Sequence, residues 1–315
     1  MSTAFELSRL NVGEILERSI RLLRLTFSRI GIVFVLLAIP TALFFGVVMD
    51  GFFSAIMDSA LGGGVRDSMP EFAVELVGWV LFMIVGVIIV LVVELIALVA
   101  MQMIVCGEVV GRHIGTREAF ELTLGVRLWR AILQRLLAEF AVVMVILVPY
   151  MAVVLAIALD AGAISILGTV AAVVFGIYCV IYLKVRWAFG TTTIAWEDQS
   201  VLGAFGRSSE LVAGNGMRTF GILALFAILV GILVSVVMTP FQFLMFKDLF
   251  LAGLNQAQNV ALQGEADILK SLSGIGFLYG VIVALASLGT TTIKSVYLPV
   301  LYFDLRARNA EFDSA

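Results

Sequence analysis

Glu94 sits between Val93 and Leu95 in the middle of a long apolar run. A carboxylate in hydrocarbon is costly enough to mark a candidate functional site. Ionised, it would suit a proton or cation relay. Protonated, or paired with a polar group on a neighbouring helix, it would be a satisfied buried acid with no chemistry of its own. Gln102 follows on the same run, about two helical turns later, and can share its face. Lys294 lies in the last apolar run, ahead of Leu301. Its ammonium can snorkel to the membrane interface, or turn inward to Glu94 or Glu139. Thr290, Thr291 and Thr292 can hydrogen-bond across helices beside it. Glu94, Gln102 and Lys294 are therefore the candidate intramembrane polar site.

Other residues suited to chemistry are sparse. His113 is the single histidine, which weakens any imidazole acid–base scheme and most metal clusters. Cys106 and Cys179 are the two cysteines, too few for a disulfide framework or a zinc site. Gly62-Gly63-Gly64 lacks the following Lys-Ser/Thr of a phosphate loop. Neither a nucleophile elbow nor a nucleotide fingerprint is present. The expectation is no catalytic residue, no metal and no cofactor. A net charge of -3 gives no reason to expect nucleic acid. An intramembrane enzyme acting on lipid head groups would rest on a Glu94–Lys294 pair alone.

The elements that position these residues follow from composition. Of 315 residues, 62% are hydrophobic and 14% charged, against about 45–50% and about 25% in soluble domains. The excess is gathered into six runs: Ile30–Met49, Val77–Val105, Leu136–Leu159, Ala161–Leu183, Phe220–Pro240 and Ile275–Leu301. Each has the length of roughly 20 residues that a helix needs to cross a bilayer. The first run follows a long charged stretch with no cleavage site and reads as a retained span, not a signal peptide.

A unit recurs three times, over about residues 5–115, 116–199 and 200–309. Each copy has a basic amphipathic segment, an apolar run, a proline (Pro40, Pro149, Pro240), a loop and a second apolar run. The whole chain, 1–315, reads as one membrane domain. Of 20 Lys and Arg, 17 belong to the termini and the even-to-odd loops when Lys294, near the end of the last run, is counted with the C-terminus, and only Arg66, Lys247 and Lys270 fall on the other side, so both termini are expected in the cytoplasm. The opposite face looks acidic, and Phe241–Ser273 reads as an outer loop carrying an apolar patch. The basic segments have helical spacing with one polar face. Their arginines Arg18, Arg21, Arg24, Arg127, Arg130 and Arg207 are the candidate contacts to lipid phosphate. The fold expected is all-α and integral to the membrane: six transmembrane helices as three pseudo-repeated hairpins, related by a pseudo-threefold axis, each preceded by an amphipathic interfacial helix. Small-residue ridges at Gly168, Ala172, Gly176 and at Gly276, Gly280, Ala284 permit close helix approach. The pattern Tyr-Leu-x-Val-x-aromatic occurs at Tyr182–Trp187 and Tyr297–Tyr302, and its aromatics suit an interfacial belt.

Three further stretches carry a resemblance: Leu10-Asn11-Val12-Gly13-Glu14-Ile15-Leu16 with Arg21-Leu22-Leu23-Arg24; Trp196-Glu197 leading into Leu202-Gly203-Ala204-Phe205-Gly206-Arg207-Ser208; and Leu301-Tyr302-Phe303-Asp304-Leu305-Arg306-Ala307-Arg308. Over essentially its whole length the chain resembles the YciC-like bacterial six-span proteins. These are similar to the membrane domain of some glycerophosphodiester phosphodiesterases. The resemblance implies a bacterial inner-membrane location. It does not imply the phosphodiesterase activity, which belongs to a separate soluble barrel with catalytic His and Glu, for which this chain leaves no room. The function expected is that of a non-enzymatic scaffold or accessory subunit organising lipid or partner proteins. Its partners would be anionic lipid head groups at the cytoplasmic face, with a membrane-protein partner or homo-oligomer possible in addition. The alternative is a transporter or channel for a small solute or lipid, with Glu94 in its pathway.

Overall fold

The computed structural model describes residues 9–61, 69–158, 162–257 and 275–309. Among the described residues every regular element is an α-helix: α1 (Val12–Leu61), α2 (Met69–Val109), α3 (Thr116–Thr123), α4 (Val126–Ala158), α5 (Gly162–Arg186), α6 (Gly190–Glu197), α7 (Val201–Val212), α8 (Gly216–Ala257) and α9 (Ile275–Arg308). Six of them, α1, α2, α4, α5, α8 and α9, are long and apolar enough to cross a membrane. Each overlaps one of the six apolar runs. The chain is thus a multi-pass membrane protein by the length and hydropathy of its helices.

The helix breaks fall elsewhere than amphipathicity suggests. Val12–Phe27 is not a separate elbow; it is the first part of α1, which runs unbroken for 50 residues. At about 1.5 Å per residue that is roughly 75 Å, more than twice the hydrocarbon thickness of about 30 Å. The second basic segment likewise opens α4 without a break. Only the third, α7, stands as its own helix, because Gly214 turns the chain with a φ of +77°. That is a conformation glycine enters without a Cβ penalty. No residue of that kind interrupts the start of α1. Pro40, Pro149 and Pro240 lie inside α1, α4 and α8, and Pro299 lies inside α9. Phe241–Ala257, expected as loop, continues α8, and the rest of that outer loop lies outside the described residues. So do Asp67 and Asp160, two of the acids on which the acidic reading of the opposite face rests. The helix α6 was not expected at all.

The chain divides into two compact units. The first comprises Met1–Arg29, Val99–Phe226 and Lys294–Ala315; the second comprises Ile30–Leu98 and Ala227–Ile293. In the first unit α1 contributes a buried stripe of Ile15, Ser19, Leu22 and Thr26, the spacing of one helix face. Its other faces expose Ile20, Leu25 and Phe27 beside Glu17, Arg21 and Arg24. The Pro149 ring of α4 lies where a Cβ on Gly176 of α5 would come within 3.2 Å of it.

In the second unit α1, α2 and α9 pack around Ala42, Phe45, Val48, Met49, Val90 and Ala284. Small residues set the spacing. A Cβ on Gly280 would stand 2.6 Å from the Phe45 carbonyl oxygen, and one on Gly276 would stand 2.9 Å from the Asp50 Cα. On the other side of α1, the Trp79 indole of α2 lies 2.2 Å from a Cβ built on Gly51. The ridge of α9 is therefore an internal packing surface against α1. Because the atoms opposing Gly280 are backbone, they cannot rotate away, and overpacking of that kind costs about 1–3 kcal/mol. Gly280→Val is expected to lower the thermal midpoint of the detergent-solubilised protein clearly. Gly231→Ala, whose added Cβ meets nothing within 4 Å, should leave it nearly unchanged; equal midpoints for the two variants would contradict this packing.

Candidate functional site

In the first unit four carboxylates, Asp304, Glu197, Asp198 and Glu108, each bind a basic side chain from another helix. The most enclosed is Asp304 near the end of α9, whose side chain has 0% exposure. Its Oδ1 accepts the backbone N–H of Leu10 at 2.7 Å, its Oδ2 accepts Nη1 of Arg218 at 2.5 Å, and Nε of Arg308 bonds it at 3.1 Å. The same two guanidiniums also donate to the Leu10 carbonyl oxygen, Arg218 at 2.6 Å and Arg308 at 2.7 Å. Asp304 and Arg308 meet because four residues bring side chains onto one helix face. Arg218 comes from the first turn of α8. Entry to α1, start of α8 and end of α9 are thus tied at one point, through charge-assisted hydrogen bonds that are stronger than neutral ones.

Glu197, the last residue of α6, is the second centre. It accepts Nε of Arg207 from α7 at 3.1 Å, accepts the Tyr302 hydroxyl of α9, and has the Arg306 guanidinium at 3.8 Å. The residue after it, Asp198, takes a left-handed conformation at φ 55° that caps the helix, one that Asp tolerates better than most residues. Its carboxylate receives Arg127 at 3.2 Å and Arg130 at 3.0 Å, one turn apart on α4. Ser200 then caps α7 by accepting the N–H of Gly203 at 3.1 Å, the usual service of a serine at that position. The fourth centre is Glu108, bonded by Arg29 at 2.5 Å and approached by Nδ1 of His113 at 3.1 Å.

Helix α6 is buried over Gly190–Ala195. Its polar content is matched from neighbouring helices. Nε2 of Gln102 donates to the Thr192 hydroxyl oxygen at 3.0 Å, and the Gln134 amide lies where a Cβ on Gly190 would come within 2.4 Å of it. The Oε1 atoms of Gln102 and Gln134 are buried without a hydrogen-bond partner among the described residues. Ser208 of α7 accepts the N–H of Phe189 at 3.1 Å and donates to the Arg186 carbonyl at 2.8 Å.

The residues singled out from sequence are distributed across these surroundings. Glu94 of α2 belongs to the second unit, is half-buried, and accepts the hydroxyl of Ser287 on α9. Gln102 and Lys294 belong to the first unit: Gln102 is buried against α6, and Lys294 is exposed on α9. Glu139 is engaged by Lys184 at 2.7 Å and Arg135 at 3.0 Å. Of the arginines expected at lipid phosphate, Arg127, Arg130 and Arg207 are held by carboxylates of the chain itself. Arg21 is bonded to Glu17 at 3.2 Å, Arg18 is half-buried and Arg24 exposed. Tyr297 and Tyr302 are buried rather than placed in an exposed belt. Tyr297 stacks on Phe226 with ring centroids 4.2 Å apart.

The centres missed in the sequence are Asp304, Glu197, Asp198 and Glu108. One signal was available for Glu108 and Asp304: each is an acid just past the end of an apolar run with arginines close behind it, where a counter-charge is needed; the adjacent Glu197 and Asp198 carry no such signal. The clusters hold helix ends together; among the described residues no three His, Cys, Asp or Glu gather as metal ligands would. Compared with protein-family models, curated proteins and solved structures, the chain matches none. Removing one partner of an enclosed ion pair costs about 3–5 kcal/mol, whereas an exposed pair is worth about 0–1 kcal/mol. Asp304→Asn should therefore destabilise the protein by several times the effect of Asp198→Asn, whose side chain is 56% exposed. Denaturant titration in detergent checks this, and comparable losses would contradict it.

Proposed function

We propose that the chain is a non-enzymatic scaffold or accessory subunit of a bacterial inner membrane, organising lipid or partner proteins. The observation that carries this reading is the use made of its charges. Asp304, Glu197, Asp198 and Glu108 of the first unit bond arginines of the chain itself, joining helix ends into a polar layer. A catalytic or conducting site would instead present such groups to a ligand. In this reading both termini face the cytoplasm, and the three hairpins are repeats related by an axis along the membrane normal, as in-to-in topology requires. The polar layer then lies toward the cytoplasmic surface, where unpaired basic side chains meet anionic lipid at about 1 kcal/mol each. The resemblance to YciC-like proteins supports the same location. Purified in mild detergent, the protein should retain anionic lipid or a partner protein. Consistent recovery of the bare chain would count against the proposal.

Glu94 motivates the alternative of a transporter or channel, since it is half-buried in a candidate span with a hydroxyl as its described partner. If it lies on a conduction path, proteoliposomes of the parent protein should show solute or proton flux that Glu94→Gln removes. The scaffold reading expects no flux from either.

A further inference from the structure

A groove of about 670 Å³ opens in the first unit between α5, α7 and the start of α8. Sites for small organic ligands span roughly 300–1,000 Å³. Its walls are Tyr178, Tyr182 and Val185 of α5, Val212 of α7, and Met217 and Phe220 of α8. Two features of the turn between α7 and α8 keep it open. Gly214 reverses the chain at positive φ, and Gly216 leaves its flank bare, since an added Cβ there would meet nothing within 4 Å. The groove is also reachable from outside, with Tyr178 63%, Tyr182 47% and Met217 84% exposed.

Arg186, the last residue of α5, lies among the lining residues. Its backbone is fixed through Ser208, and its guanidinium donates to the Tyr182 hydroxyl and sits 5.6 Å over the same ring. In this it differs from the arginines of the polar layer. Arg29, Arg127, Arg130, Arg207, Arg218 and Arg308 each bond a carboxylate. Among the described residues Arg186 has no carboxylate partner, and its described partner is the Tyr182 phenol. A guanidinium keeps several N–H donors in a planar fork and suits the oxygens of a phosphate.

We propose that this groove is a binding site for one anionic phospholipid, an acyl chain lying against Tyr178, Val185 and Phe220 and the phosphate on Arg186. The match is one of chemistry along the length of the ligand. The walls are apolar, the lining holds a cation with no carboxylate partner among the described residues, and α5 is a helix long and apolar enough to cross the bilayer. A water-soluble anion would leave the apolar walls unused, and an uncharged lipid would leave Arg186 uncompensated. The proposal rests on the lipid-organising reading above and gives it a place in the fold.

Native mass spectrometry of the full chain in detergent, titrated with phosphatidylglycerol or phosphatidylcholine of identical acyl chains, tests it. Both lipids offer a phosphate to Arg186, but the choline ammonium adds a like charge beside the guanidinium, so the parent should bind phosphatidylglycerol about tenfold more tightly. Arg186→Gln should bring the two affinities together. Gly216→Phe, which places a ring in the groove without a clash at Cβ, should weaken both lipids. Arg117→Gln, whose parent side chain is 92% exposed and paired to Glu121, should change neither, and thermal midpoints should confirm that all variants fold. Equal affinities in the parent, or an undiminished preference in Arg186→Gln with undiminished binding in Gly216→Phe, would overturn the site. The wider reading survives that result if the parent still retains phosphatidylglycerol, and falls with the site if the parent retains no lipid.

Discussion

A carboxylate shut away from solvent must be neutralised by what surrounds it, and Asp304 is neutralised by helix ends that are remote in sequence. Arg218 begins α8, Arg308 ends α9, and the Leu10 peptide leads into α1. Desolvating these groups is expensive, and the cost is offset only when every one of them is bonded in good geometry. Here each is: the two guanidiniums also close on the Leu10 carbonyl. The arrangement leaves these helix ends little freedom to shift independently. Ion pairs at Glu197 and Asp198 extend the constraint to α4, α6 and α7, and the pair of Glu108 with Arg29 joins α2 to α1.

The second unit is held by a different means. Its contacts are apolar and its spacing is set by glycine, with Gly276 and Gly280 letting α9 approach the α1 backbone and Gly51 receiving the Trp79 ring. In a lipid environment the hydrophobic effect does not draw apolar helices together, so close packing and occasional hydrogen bonds must do so. The bond from Ser287 to Glu94 is one such contact. The groove beside Arg186 is an exception to the internal pairing of charge in the first unit, and for that reason it stands out as a place for a ligand.

How much of this was legible beforehand depended on whether the signal was local. Six runs of apolar residues were readable as six long helices because bilayer length and hydropathy act on contiguous sequence. The elbow helices were misplaced because amphipathic spacing says that Val12–Phe27 is helical but not where that helix stops. The stop requires a glycine at positive φ such as Gly214, whereas Gly31, which follows the segment in α1, stays helical. Helix α6 escaped notice because Gly-Thr-Thr-Thr carries no apolar periodicity and is buried by tertiary packing. The Asp304 cluster joins residues 10, 218, 304 and 308, and no pattern along the chain announces a pairing across that separation. Gln102 was singled out from sequence, but its partner Thr192 lies in the helix that had not been expected. Tyr302 was assigned to an interfacial belt because its neighbours are aromatic, whereas the need of its hydroxyl for Glu197 takes it inside.

The central claim is that Asp304 and its two arginines act as one neutralised unit. A double-mutant cycle on the detergent-solubilised protein, with Asp304→Asn, Arg218→Gln and their combination, measures this directly. Strong coupling of about 1–3 kcal/mol is expected, because removing the second partner of a broken buried pair costs little more than removing the first. Additive losses, with coupling near zero, would contradict it.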